Sequence, residues 1–341
     1  MEFTKKQSSM LKAIAILFMV GLHLYNRTEL EGYYQPLLYI GKNPFIYCIS
    51  FLFDACVPLF LFSAGYAAYI NKNDTFKQIL QRILKLMINF WIVIILTILL
   101  GLIFKNPNIP GSFNDLLGNL FLYDINYVGA WWFMQTYVIL TLSSSLIIKW
   151  IDKMNGILVT IISIVIYLTA YYFRMMNPIV TNIYVLNLLI NASVLLGTSL
   201  LSYVFGILFR KYKIVSQIRT IFKFEHSNVI AFGIILLCIL GHWIIKSLIV
   251  SPFVSIVFVI AYALLNFKGI WEKILLFFAS HSTNIWLLHM QFYMIFMKDF
   301  VFSTNTVIGC LIIVLTLSII GSYIVKYIFS MIVKKCKFSI I

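Results

Sequence analysis

The amino-acid sequence predicts an all-α protein, a polytopic membrane helical bundle of about ten transmembrane helices with both termini in the cytoplasm. Hydrophobic residues make up 62% of its 341 residues, charged residues only 11%, and the mean hydropathy is +0.97. A water-soluble domain does not tolerate so apolar a composition on its surface. The apolar runs reach about 20 residues, enough for a helix to cross the hydrocarbon layer, whereas a transmembrane barrel needs alternating segments of about ten residues.

Ten apolar runs mark the predicted helices, and no linker rich in Pro, Gly or Ser divides the chain. We therefore expect one transmembrane domain over residues 1–341. The predicted helices cover residues 10–26, 45–70, 83–104, 130–149, 156–173, 186–209, 229–249, 252–267, 273–298 and 306–333. The longest outer connection includes the amphipathic stretch from Phe113 to Tyr123, which predicts a helix at the membrane interface.

The net charge of +15 is explained by membrane topology rather than by nucleic-acid binding. Cytoplasmic loops of membrane proteins collect Lys and Arg. With the amino terminus inside, 20 of the 26 Lys and Arg residues fall on the cytoplasmic side; the other six are Arg27, Lys42, Lys105, Arg174, Lys246 and Lys298. This asymmetry supports an even number of helices. We expect membrane lipids around the protein and no nucleic-acid partner.

The cysteines give no sign of a metal site. Cys48, Cys56, Cys238, Cys310 and Cys336 form no CxxC pair and have no histidines at zinc-ligand spacing. We expect free thiols and no metal. The many Phe, Ile, Asn and Lys residues are typical of an AT-rich bacterial genome, so we expect a multi-pass protein of a bacterial plasma membrane.

The first helix carries Lys12 and His23, separated by ten mostly apolar residues. Eleven steps of 100° return to within about 20° of the same face, with the two residues about 16 Å apart along the axis. An ionisable side chain inside a membrane is costly, and an intramembrane histidine is therefore a candidate functional residue. A hydrogen bond between helices is an equally open interpretation of His23.

Further polar and aromatic residues fall in the outer halves of other predicted helices: Asp54 in the second, Trp131, Trp132 and Tyr137 at the start of the fourth, and His289 in the ninth. A neutral histidine deprotonates a hydroxyl well when a carboxylate orients it, so His23 and Asp54 are a candidate catalytic dyad. Pairing of Asp54 with a lysine or the backbone, and an aromatic belt at the tryptophans, remain open. His226, His242 and His281 have no recurring spacing, and we expect them to be structural or solvated.

Lys12, Arg82 and Lys85 gather at the predicted inner face. Cations at this depth suit the phosphates of an anionic donor that enters from the cytoplasm. They also suit the simpler role of determining topology.

Five short segments of the chain form a distinctive set. They are Lys12 to His23, with ten residues between the two, Val57 to Tyr66 (VPLFLFSAGY), Arg82-Ile-Leu-Lys85, Ala130 to Phe133 (AWWF) and Ser282 to His289 (STNIWLLH). Together they resemble the acyltransferase-3 family of membrane acyltransferases. In that family a basic residue is followed by ten residues and a histidine, and an RxxR motif lies at the inner face. The chain departs from the family in placing Lys85 at the second arginine and Ala64 between Ser63 and Gly65.

The resemblance implies an O-acyltransferase that carries acetyl from cytoplasmic acetyl-CoA to a hydroxyl of an extracytoplasmic polysaccharide, such as a capsule or exopolysaccharide, or of its lipid-linked precursor. It implies that His23 is the base and that Lys12, Arg82 and Lys85 meet the donor, while Asp54 stays the candidate partner of His23 that the residues themselves suggest. The acceptor would then contact Trp131, Trp132, Tyr137 and His289.

Two other functions remain open from the sequence. A transporter or flippase for a polysaccharide or lipid carrier also suits helices with buried Lys, Asp and His, although we find no internal hydropathy repeat. A structural or sensory membrane subunit would tolerate the loss of His23.

Overall fold

The computed structural model describes residues 2–27, 30, 32–222 and 227–335. Most of the described residues are helical. They also include one two-stranded antiparallel ribbon, in which Tyr39–Ile40 (β1) pairs with Asn43–Pro44 (β2). The predicted all-α membrane bundle is confirmed. The helices are α1 Lys5–Tyr25, α2 Phe45–Phe53, α3 Cys56–Ile70, α4 Phe76–Ile103, α5 Phe113–Phe121, α6 Trp132–Lys153, α7 Gly156–Met175, α8 Tyr184–Lys211, α9 Ile214–Ile221, α10 Ser227–Ile244, α11 Ser251–Leu264, α12 Ile270–Met290, α13 Lys298–Phe302 and α14 Val307–Lys335.

Eight helical stretches within the described residues are long and apolar enough to cross a membrane, and they correspond to predicted helices one to seven and ten. The other two predicted spans are helical as well. One is the shorter apolar stretch Leu248–Leu264. The other is α12, where His281, Asn284 and His289 lower the hydropathy, and where a π-helix, Gln291–Phe296, continues the chain.

Capping boxes explain where two spanning helices begin. The Thr4 hydroxyl accepts from the N–H of Gln7 at the start of α1, and the Gln7 side chain accepts from the N–H of Thr4. Thr75 and Gln78 repeat the arrangement at the start of α4. Because each box satisfies N–H groups that have no partner inside the helix, both helices begin well before their apolar runs do.

The second predicted helix is broken at Asp54. Helix α2 ends at Phe53, and α3 begins at Cys56. Pro58 lies four residues after Asp54, where it has no N–H to donate to the Asp54 carbonyl and its ring crowds that oxygen. The N–H groups of Asp54 and Ala55 instead reach back three residues, to Phe51 and Leu52. The break therefore places the carboxylate at a helix end inside a membrane span.

The chain forms two compact units. The first contains residues 2–26, 38–73 and 143–280 of the described chain, and its core joins α1, α3, α8, α10 and α11. Helices α3 and α8 approach most closely at Gly65 and Gly206. A Cβ at Gly65 would lie 1.9 Å from the Tyr203 carbonyl oxygen, and one at Gly206 would lie 2.1 Å from the Phe62 carbonyl oxygen. Only glycine permits this backbone contact.

The second unit contains Arg27, the described residues between 30 and 37, and residues 74–142 and 281–335. In it α4 packs against α5, α14 and the π-helix, and α13 packs against α14. The predicted interfacial segment forms α5, which begins with a capping box between Ser112 and Asp115. The four described cysteines, Cys48, Cys56, Cys238 and Cys310, are buried free thiols, whereas Cys336 lies outside the described residues.

Candidate functional site

Asp54 meets a serine and a histidine from two other helices of the first unit. The Ser251 hydroxyl, at the start of α11, donates to Asp54 Oδ2. The imidazole of His242, near the end of α10, places Nε2 3.9 Å from the same oxygen. That distance is longer than a hydrogen bond but short enough for strong attraction when His242 is protonated. A carboxylate, an imidazole and a hydroxyl therefore converge at the break between α2 and α3.

His242 is the functional candidate that the sequence did not indicate. Its side chain is 1% exposed, and its ring lies 6.3 Å from that of Phe51 on α2. The only local signal was an ionisable residue within an apolar run, because no spacing rule links two residues that are 188 positions apart. Neither the structural nor the solvated interpretation anticipated its position beside Asp54. His226 lies outside the described residues.

His23 and Lys12 both lie on α1 and are half-buried. Helix α1 packs on α2 through the rings of Phe18 and Phe53, whose centroids are 5.0 Å apart. At 100° per residue, His23 lies about 140° around α1 from Phe18. Asp54 contacts Ser251 and His242 and interacts electrostatically with Arg174, and its pairing with His23 stays a prediction.

The tyrosine that ends the VPLFLFSAGY segment holds the amino-terminal residues at the predicted cytoplasmic end. The Tyr66 hydroxyl donates to Glu2 Oε2 at 2.6 Å and accepts from the Phe3 N–H at 3.1 Å. Glu2 Oε1 accepts from the N–H and hydroxyl of Ser216 on α9 at 2.9 and 2.8 Å. Arg219 lies 5.6 Å from the Phe3 ring, and burial lowers the pKa of its guanidinium. The contacts tie α1, α3 and α9 together.

Arg82 and Lys85 lie in the first half of α4, in the second unit. The Arg82 guanidinium donates to the carboxylate of Asp74, just before the helix, and 43% of its side chain is exposed. Lys85 is half-buried and lies about 60° from Arg82 around the helix. An anion that binds Arg82 from solution must therefore displace or join the Asp74 carboxylate.

Trp131 has no exposed surface. Its indole N–H donates to the Leu287 carbonyl at 2.9 Å, and the Trp286 indole N–H donates to the Ala130 carbonyl at 3.0 Å. The ring of Trp131 also meets Phe90 edge-on, with centroids 4.9 Å apart. The AWWF and STNIWLLH segments thus bind each other. Of the predicted acceptor residues here, Trp132 and Tyr137 are half-buried.

His289 is fully buried in α12. Its Nδ1 lies 2.8 Å from the Trp286 carbonyl and 3.0 Å from the Ile285 carbonyl. A carbonyl only accepts, so Nδ1 carries the proton, and in the neutral ring Nε2 is the acceptor. The Tyr293 ring stacks on the imidazole at 6.2 Å. This geometry fixes the tautomer that a general base requires.

A second polar network crosses α4, α12 and α14. Asn89 donates to Asn284 Oδ1 at 2.7 Å, and Asn284 donates to the Ser322 hydroxyl at 3.2 Å. His281 Nδ1 lies 2.8 Å from the same hydroxyl. His281, Asn284 and Ser322 are buried. Of the two expected roles of His281, structural or solvated, the structural one therefore fits this buried, hydrogen-bonded position.

The comparison with protein families decides the identity. The family model of the acyltransferase-3 domain matches residues 7–327, nearly the whole chain. The chain belongs to the acyltransferase-3 family. It is a multi-pass membrane acyltransferase. In comparisons with curated proteins and with solved structures, nothing matches the chain.

The geometry gives the segments of this acyltransferase separate structural tasks. Gly65 permits the approach of α3 to α8, and Tyr66 one residue later binds Glu2. The two tryptophan segments are joined by the reciprocal bonds of Trp131 and Trp286. Lys12, His23 and Lys85 are half-buried, and Arg82 and Thr283 are exposed.

Proposed function

We propose that this acyltransferase transfers acetyl from cytoplasmic acetyl-CoA to a hydroxyl of an extracytoplasmic polysaccharide, such as capsule or exopolysaccharide, or of its lipid-linked precursor. The observation that carries the proposal is a half-buried imidazole, His23, inside the membrane span Lys5–Tyr25 of an acyltransferase-3 chain. Neither solubility nor topology explains an imidazole at that depth, since an ionisable side chain inside the bilayer costs free energy. It suits a base that works away from bulk water.

In the proposed reaction, His23 accepts the proton of the acceptor hydroxyl as its oxygen attacks the thioester carbonyl. The carbon–sulfur bond then breaks, and the proton returns from His23 to the coenzyme A thiolate. The products are an acetyl ester and free coenzyme A, so no oxidant or metal is needed. A base with a pKa near the working pH performs both proton transfers efficiently.

The donor side of the proposal uses Lys12, Arg82 and Lys85. Arg82 is the best placed for phosphate, because 43% of its side chain is exposed, and the phosphate would displace or join the Asp74 carboxylate there. Lys85 offers a point charge where the family has a second arginine, which suits phosphate without requiring a planar fork. Lys12 lies about 16 Å from His23 along the same α1 face, toward the inner end of the helix, and would guide the donor toward it.

The test compares the wild type with His23→Ala at matched abundance in bacterial cells that depend on this protein for surface ester. Acetyl on the purified surface polysaccharide is measured by NMR. We expect the ester to fall below a tenth of the wild-type amount. Persistence of the ester in His23→Ala would reject the base. Inside-out vesicles given labelled acetyl-CoA separate an acyltransferase from a flippase, because only an acyltransferase moves label into polymer.

A further inference from the structure

Tyr47, Phe51 and Asp54 form a strip along one face of α2. In an α-helix these positions fall within about 60° of one another and span about 10 Å. Asp54 has helical backbone angles, so this geometry extends to the end of the strip. The Tyr47 and Phe51 rings lie 5.0 Å apart, and all three residues are partly exposed. Two neighbouring aromatic rings therefore lead along the helix to a carboxylate.

The environment of Asp54 directs one carboxylate oxygen toward a ligand. Ser251 and His242 both lie against Oδ2. No hydrogen bond reaches Oδ1 from the part of the chain that the structure describes, although the side chain is only 15% exposed. Oδ1 is not among the buried side-chain atoms that lack a partner, so it keeps accessible surface, and an ionised carboxylate can accept several hydrogen bonds. A hydroxyl donor is the group that fits Oδ1.

We propose that the Tyr47–Phe51–Asp54 strip binds the acceptor glycan, with Asp54 Oδ1 accepting a sugar hydroxyl and the two rings packing against sugar faces. His242 and Ser251 are positioning residues that hold the Asp54 carboxylate. Apolar surface beside hydrogen-bond acceptors matches a sugar ring, which has C–H faces and hydroxyl edges. Lys246, with Nζ 5.8 Å from the Phe51 ring centroid, adds a cation beside the strip. This assignment rests on the proposed transfer to a glycan.

The strip is tested by the binding and kinetics of the full-length protein in lipid nanodiscs. The probe is surface polysaccharide from the producing cells, freed of ester by mild alkali. We expect Phe51→Ala and Tyr47→Ala each to weaken its binding and raise its KM about tenfold, without changing the KM for acetyl-CoA. The matched control is Phe45→Ala, since Phe45 is an exposed aromatic residue about 180° around α2 from Asp54. It should behave as the wild type.

His242 is tested by a conservative variant. In His242→Gln an amide N–H can still face Asp54, whereas His242→Leu removes every polar contact. We expect His242→Leu to raise the KM for the polysaccharide, and His242→Gln to recover most of the wild-type value. Equal defects in both variants, with unchanged thermal unfolding, would reject the positioning role.

The results of these experiments distinguish failure of the proposed glycan-binding strip from failure of the proposed acetyl transfer. A wild type that binds the polysaccharide but transfers no label rejects the transfer, while weaker binding by Phe51→Ala still supports the strip. A wild type that transfers label, with Phe51→Ala and Tyr47→Ala unchanged in binding and KM, rejects the strip alone. A wild type that neither binds the polysaccharide nor transfers label rejects both proposals. Asp54→Asn should weaken binding, because an amide offers only one accepting oxygen.

Discussion

Trp131 and Trp286 each donate an indole N–H to the backbone beside the other: Trp131 to the Leu287 carbonyl at 2.9 Å, and Trp286 to the Ala130 carbonyl at 3.0 Å. The two bonds cross-link the start of α6 to α12 within the second unit. Buried carbonyls inside a membrane protein have no water to bind. Each of the two indole N–H groups therefore satisfies one such carbonyl, and both bonds stabilise the contact between α6 and α12.

Trp131→Phe should destabilise the protein, since it keeps an aromatic ring but leaves the buried Leu287 carbonyl without this donor. Gln291 Nε2 still donates to this carbonyl at 3.2 Å, so the expected loss is that of one hydrogen bond, about 0.5–1.5 kcal/mol. Thermal unfolding in detergent measures the loss, and Trp132→Phe is the matched control. A wild-type Tm together with a raised acceptor KM would instead place Trp131 in the acceptor site.

Pro58→Ala should lengthen α2 and α3 toward one continuous helix, because alanine supplies the N–H that the Asp54 carbonyl lacks. We expect unchanged or higher thermal stability with acetyl transfer reduced at least tenfold, since Asp54 would move relative to Ser251 and His242. Acetyl transfer is measured with labelled acetyl-CoA in vesicles. Full activity in Pro58→Ala would show that the break is not required.

Gly65→Ala should prevent normal folding. Its Cβ would lie 1.9 Å from a backbone oxygen of α8, and backbone cannot rotate away as a side chain does. We expect a loss above about 3 kcal/mol, the upper end of overpacking in a core. Gly233→Ala on α10 is the control, because nothing lies within 4 Å of the added methyl group. Yield of monodisperse protein and Tm report the difference.

Arg82→Ala should raise the KM for acetyl-CoA about tenfold or more, the size expected for a lost hydrogen bond to a charged group. It should leave the KM for acetyl-pantetheine unchanged, since that donor lacks the nucleotide phosphates. Asp74→Asn removes the competing carboxylate and should not raise the KM for acetyl-CoA. Equal changes for both donors would assign Arg82 to folding or topology.

Acid should loosen the α5 connection. Asp115 accepts from the Ser112 hydroxyl at 2.6 Å, the Ser112 N–H at 2.8 Å and the Asn126 amide at 2.5 Å. These bonds lower the pKa of Asp115 below its ordinary value, so their stabilisation is complete above about pH 4 and is lost as the pH falls through the lowered pKa. The protection of residues 112–127 against hydrogen exchange, relative to the intrinsic exchange rate at each pH, should therefore fall in acid, and Asp115→Asn should remove that dependence.

Local sequence signals predicted the elements and could have refined them further. The T-x-x-Q boxes at Thr4 and Thr75 are visible in the sequence, yet hydropathy alone placed the first helix start at residue 10 and the third at residue 83. Pro58 is a second such signal, because a proline cannot donate to the carbonyl four residues earlier, which here is that of Asp54. The two helix starts and the break were therefore missed because the prediction relied on apolar runs and not on capping residues and prolines.

The sequence by itself determined that this protein crosses the membrane as helices, because hydropathy and charge bias are properties of contiguous residues. It also carried the acyltransferase-3 motifs with Lys12, His23, Arg82 and Lys85. Only the tertiary structure decided that Asp54 meets His242 and Ser251, and that Trp131 meets Trp286. Those partners lie on helices far apart in the chain, and packing, which no local periodicity encodes, brings them together.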